Sequence, residues 1–238
     1  MKQYNKNINI LCVLSLTLML GCLPEEFKLD DYSYPFVTCS RSDHERELPR
    51  LYKGMEIDFA DCSKGVKSRL WTLPAEGGIT QLDINYNVIG SQLSSTNRII
   101  YVVFNNAGVF GVRLEAQFND PSVKLDTTIM VTVFDLIKAQ FTSDAPVING
   151  QPTVSAGETI DFQSTTTGGP GPTNLVYEWS FQGGTPATST ARNPSVTYNS
   201  PGIWDVTLVA STITPRGKDE ISVKGYITVL PAVASGGE

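Results

Sequence analysis

The sequence predicts an all-β protein of two tandem β-sandwich units, and three observations carry that prediction. Near the C-terminal end, Tyr177, Trp179 and Phe181 alternate with Glu178, Ser180 and Gln182, and after a Pro201-Gly202 turn Trp204, Val206 and Leu208 resume the alternation. A period of two is that of a half-buried strand. No sustained helical pattern occurs, and the strand-like runs are separated by Gly, Pro, Asn and Ser, as in antiparallel all-β proteins. The pattern also occurs twice. Gly54-Met55-Glu56-Ile57-Asp58-Phe59 matches Gly157-Glu158-Thr159-Ile160-Asp161-Phe162 at four of six places. Trp71 follows the first, as Trp179 follows the second, and Glu76-Gly77-Gly78 parallels Gln182-Gly183-Gly184. The segment from Val102 to Leu114 matches Val196 to Leu208, with Phe104 on Tyr198, Gly108 on Gly202, Phe110 on Trp204, Val112 on Val206 and Leu114 on Leu208. Val131-Thr132-Val133 parallels Ile227-Thr228-Val229 as a closing strand.

The repeat sets the domain boundaries at 32–136 and 139–230, each about 100 residues, the size of a small sandwich. The short junction around Leu136-Ile137-Lys138 predicts a semi-rigid tandem, and 231–238, mostly small residues, a flexible tail. Gly108 and Gly202 sit where each chain turns sharply between strands. Composition agrees with a globular protein, at 41% hydrophobic and 18% charged residues. The net charge of -6, without a lysine-arginine cluster, excludes nucleic acid as the partner.

The N-terminus lies outside the sandwiches. Lys2 and Lys6 precede an apolar run from Ile8 to Leu20, too short for a membrane-spanning helix, and Gly21-Cys22 closes it. This resembles a bacterial lipoprotein signal, with Met19 and Leu20 as mild departures. The resemblance implies that 1–21 are removed and that Cys22 is acylated and holds the protein on a membrane. Loss of Lys2 and Lys6 leaves sixteen basic against twenty-four acidic side chains, a net charge of -8. Burial of acyl chains contributes about 0.8 kcal/mol per CH₂, so several chains give stable attachment. Residues 22–31 read as an acidic tether, and Leu23-Pro24-Glu25-Glu26 resembles the surface-export signal of lipoproteins in Bacteroidetes-type bacteria. That resemblance implies an outer-membrane protein, lipid-anchored and displayed at the cell surface.

Of four cysteines, Cys12 lies in the signal and Cys22 is the lipid site. Cys39 and Cys62 remain, either joined in a disulfide or as two thiols. No C-x-x-C spacing or histidine cluster points to a metal. Tyr32, Tyr34 and Phe36 alternate with Ser33, Pro35 and Val37; they read either as a first strand packed on the core or as an exposed aromatic platform. Arg41 to Arg50 is a charged, solvated loop holding the sole histidine, His44. With no G-x-S-x-G or H-E-x-x-H, the sequence nominates no catalytic residue and no cofactor.

The second copy resembles a PKD domain, an immunoglobulin-like sandwich. The family pattern falls on Tyr177, Trp179, Phe181, Gly183, Tyr198, Gly202, Trp204, Val206 and Leu208, with Ser180 in place of the usual aspartate. The first copy is a more distant PKD-like relative, keeping Phe59, Trp71, Phe104, Gly108, Phe110, Val112 and Leu114. The resemblance implies two immunoglobulin-like sandwiches in an extracellular spacer or interaction module, and no reaction. Two functions are therefore expected: a non-catalytic surface lipoprotein that presents or holds a protein partner, or a glycan-binding accessory protein of a polysaccharide-uptake system. The second would stack sugar rings on exposed tyrosines, with Tyr32, Tyr34, Tyr86 and Tyr101 as candidates.

Overall fold

The computed structural model describes residues 37–40 and 50–232, and of residues 38–40 the backbone alone. The chain divides into two compact units, Met1–Thr132 and Val133–Glu238. The described residues form twenty strands and two single-turn 3₁₀ segments. In the first unit these strands are β1 (Val37–Ser40), β2 (Arg50–Tyr52), β3 (Glu56–Asp61), β4 (Val66–Thr72), β5 (Ile79–Leu82), β6 (Val88–Gly90), β7 (Ser94–Ser95), β8 (Ile99–Phe104), β9 (Gly108–Phe118) and β10 (Lys124–Phe134), whose last residues cross the boundary. The second unit holds β11 (Phe141–Ser143), β12 (Val147–Ile148), β13 (Gln151–Ser155), β14 (Thr159–Ser164), β15 (Val176–Phe181), β16 (Gly184–Thr185), β17 (Thr188–Ser189), β18 (Ser195–Tyr198), β19 (Gly202–Thr212) and β20 (Gly217–Leu230).

Each unit has two sheets. The first has the orders β1-β3-β8-β5-β6 and β2-β10-β9-β4-β7; the second has β11-β14-β18-β16 and β12-β13-β20-β19-β15-β17. The alternation read from the sequence is the alternation of burial: in β15, Tyr177, Trp179 and Phe181 are buried and the residues between them exposed. Each unit thus fills its own core with inward residues of its strands, Phe59, Trp71, Phe104 and Leu114 in the first and Phe162, Trp179, Tyr198 and Leu208 in the second.

The repeat extends to hydrogen-bond register. Trp71 lies opposite Leu114 on β9 and Ser95 on β7; Trp179 lies opposite Leu208 on β19 and Ser189 on β17. A buried indole needs a partner for its N–H, and both find the same one. Trp71 Nε1 donates to the carbonyl of Asn97 at 3.0 Å, and Trp179 Nε1 to that of Ala191 at 2.8 Å. The turn that offers this carbonyl is also repeated. Asn97 N donates to Ser95 Oγ and Ala191 N to Ser189 Oγ, each at 3.2 Å.

At two facing positions the cores differ. In the first unit Asp61, fully buried, accepts Arg69 Nε at 2.7 Å and the backbone N–H of Ser63 at 3.0 Å, which joins β3 of one sheet to β4 of the other. Counted from Phe162 and Trp179, the same positions in the second unit are Ser164 and Tyr177, both buried and neutral. The register supports the equivalence, since Arg69 faces Ala116 and Tyr177 faces Ala210. Gly183 is fixed by both its backbone and its surroundings. Its φ is +70°, and an added Cβ would lie 2.4 Å from the Trp204 indole.

Candidate functional site

The largest departure from the repeat lies between β4 and β7. Three residues separate Gly184 from Thr188 in the second unit, and fifteen separate Gly78 from Ser94 in the first. The additional residues lengthen β5, which lies beside β8 as the two-residue β16 lies beside β18, and add β6, so that the hairpin β5–β6 forms the edge of the sheet β1-β3-β8-β5-β6. Asp83 closes its turn. Asp83 Oδ1 accepts the N–H groups of Asn85 at 2.8 Å and Asn87 at 2.9 Å, the Asn87 side-chain amide bonds the same carboxylate, and Tyr86 N donates to the Asp83 carbonyl at 3.0 Å. The Asn87 amide and then these N–H groups hold the Asp83 carboxyl below the usual carboxylate range. The turn places Tyr86 in the left-handed region, at φ 64°, a conformation that bulky residues seldom adopt.

The turn brings Tyr86 onto Tyr101. Their ring centroids are 5.6 Å apart with an interplanar angle of 72°, an edge-to-face pair. Tyr101 belongs to a row across the sheet's outward face: Val88 opposite Leu82, Leu82 opposite Tyr101, Tyr101 opposite Asp58. Burial first, and then the neighbouring Asp58 and Tyr86, pushes the Tyr101 phenol up. Around this pair Ile84 is 72% exposed, Val88 70%, Ile89 50% and Tyr86 46%. The hairpin is thus an aliphatic and aromatic projection whose own carboxylate, Asp83, is already bonded by its turn, with Asp58 beside it across Tyr101. It suits contact with an apolar surface and offers no nucleophile paired with a base.

Of the tyrosines expected as a platform, Tyr86 and Tyr101 come together, while Tyr32 and Tyr34 lie outside the described residues. So do Cys22 and His44. Cys39 sits on β1 opposite Phe59, and Asp61, the last residue of β3, faces Val37. Cys62, half-buried, follows Asp61. Among the described residues no group of three His, Cys, Asp or Glu side chains is placed to hold a metal, and no helix is long and apolar enough to cross a membrane. Ile84, Val88 and Ile89 were not nominated from the sequence. Their signal was the uncharged run from Ile84 to Asn97.

The second unit has no hairpin at the equivalent position; of its exposed aliphatics, Val147 and Ile148 sit together on β12, and Val176, Ile203 and Ile213 lie apart from them. A comparison to known families matches most of this unit. Residues 143–225 match the family model of the PKD domain. The PKD match lies within the second unit and covers about a third of the chain. No curated protein matches the chain significantly. Among solved structures, similarity is found to the C-terminal 282-residue fragment of intimin in complex with the intimin-binding domain of the translocated intimin receptor, at 11% identity and TM-score 0.46, over 82% of this chain and 64% of that fragment. The fibronectin(III)-like modules of CbhA from Clostridium thermocellum align at 14% identity and TM-score 0.35, over 85% of this chain and 98% of theirs. An I-band fragment of titin aligns at 10% identity and TM-score 0.45, over 83% of this chain and 66% of that one.

Proposed function

We propose that this chain is a non-catalytic, lipid-anchored protein of the outer membrane, displayed at the cell surface, whose two sandwich units act as a spacer and protein-interaction module. The observation that carries the reading is the repeated tryptophan-centred unit, with a PKD match on the second copy. Each unit satisfies its own buried indole and closes its own core, which suits a module that sets distance and presents a surface rather than one that turns over a substrate. The lipid anchor rests on the Gly21-Cys22 signal. The first unit follows the anchor in sequence.

The test is made on cells expressing the full chain. Cys22→Ala is expected to release the protein from the membrane fraction, and mass spectrometry to find acyl chains on residue 22. External protease is expected to remove the second unit from intact cells. A protein inaccessible to protease on intact cells, yet cleaved after lysis, would overturn surface display. Retention on insoluble polysaccharide that is lost in Tyr86→Ala would replace the protein-interaction reading with the glycan-binding one.

A further inference from the structure

We propose that the β5–β6 hairpin lies against the bilayer that holds the anchor, so that the first unit makes a second contact with the membrane through Ile84, Tyr86, Val88 and Ile89. The inference rests on the lipid anchor at Cys22. Fourteen residues separate Cys22 from Val37, and even fully extended such a stretch reaches only about 50 Å. The N-terminal end of an anchored first unit therefore stays within about 50 Å of the lipid, where a weak apolar contact acts at high effective concentration.

Three features of the hairpin suit lipid over other occupants. From Ile84 to Asn97 the chain carries no charged residue, so entry into the headgroup layer strips no ion of water. Asp83, at its base, has its carboxylate satisfied by Asn85 and Asn87 of the same turn. The exposed aliphatics flank a tyrosine, and an aromatic ring with a polar tip favours the interface between hydrocarbon and water. Backbone pairing with a partner strand is disfavoured, because β6 has three residues and a register shift where it meets β5.

The test is hydrogen exchange on the acylated full chain in vesicles of phosphatidylethanolamine and phosphatidylglycerol. Amides 84–90 are expected to exchange at least about fivefold more slowly than in the Cys22→Ser chain mixed with the same vesicles, with the exposed loop at Ile213 unchanged. Ile84→Asn with Val88→Asn, both at exposed positions, is expected to abolish this protection while the protein remains vesicle-bound. Equal exchange in an acylated, bound chain overturns the hairpin contact and leaves the anchor standing. An unmodified Cys22 overturns both. Protection that appears without vesicles and grows with protein concentration assigns the hairpin to a second copy of the chain and overturns the proposal.

Discussion

The two units hold their central tryptophan in the same way and differ in what they build around it. Trp71 and Trp179 face equivalent leucines and serines and donate to equivalent carbonyls. Beside that shared frame, the first unit buries an ion pair where the second has Ser164 and Tyr177, puts Phe104 where the second has Tyr198, and adds a hairpin where the second makes a short turn. The frame therefore tolerates exchange of a charged pair for neutral side chains, provided both members change. It also tolerates growth at an edge. What it conserves between copies is the means of satisfying the one polar atom of a large core residue.

The ion pair offers the strongest way to break the comparison. Arg69→Tyr alone leaves Asp61 buried without its counter-ion and is expected to cost the first unit about 3–5 kcal/mol. Asp61→Ser together with Arg69→Tyr copies the second unit and is expected to restore most of that loss. Urea unfolding of the two variants and the parent checks both, and equal losses in the single and double variants would show that the pair is not a unit. Gly183→Ala forces a side chain onto the Trp204 ring at positive φ, and is expected to cost the second unit about 2–4 kcal/mol, read as a lowered midpoint of its transition.

Tyr198 tests the comparison in the opposite direction. Its hydroxyl is buried with no hydrogen-bond partner, and its counterpart Phe104 has none to satisfy. Tyr198→Phe is expected to stabilise the second unit by about 1 kcal/mol. Burial pushes the Tyr198 phenol up to about 12, against an ordinary value near 10. Below about pH 10 the phenol is neutral whether folded or unfolded, and its contribution is complete. Between about 10 and 12 the unfolded chain loses the proton that the folded chain keeps, so stability falls by up to about 1.4 kcal/mol per pH unit. Denaturant melts from pH 9 to 11.5 are expected to show this slope in the parent and less of it in Tyr198→Phe.

Much of the fold could be read from the residues themselves. The alternation in β15 and the Gly-x-aromatic-x-Val-x-Leu pattern of β9 reported burial directly, because a strand's period is a physical consequence of its pleat; in β19 the same pattern holds for Val206 and Leu208, while Trp204, on the far side of a register shift, is only half-buried. Ser95-Thr96-Asn97-Arg98 and Ser189-Thr190-Ala191-Arg192 are also a repeat, and went unseen because short polar turns are common and their value here lies in a backbone carbonyl, which no side-chain pattern reveals. The site was less visible. Tyr86 and Tyr101 were nominated as aromatics, but what joins them is the Asp83 turn, and that depends on which N–H groups a carboxylate reaches. The Asp61–Arg69 pair joins residues from different sheets and leaves no periodic trace.

Because the indole of Trp71 grips the chain at Asn97 and β4 holds the other side, the segment between Gly78 and Ser94 is a bracketed stretch whose two ends stay put. Lengthening such a stretch from three residues to fifteen costs only about 1.4 kcal/mol in closure entropy, and full burial of a side chain such as Ile79 or Leu82 returns about 1.5–3 kcal/mol. Evolution, or a protein engineer, can write new recognition sequence into that slot without renegotiating the rest of the domain.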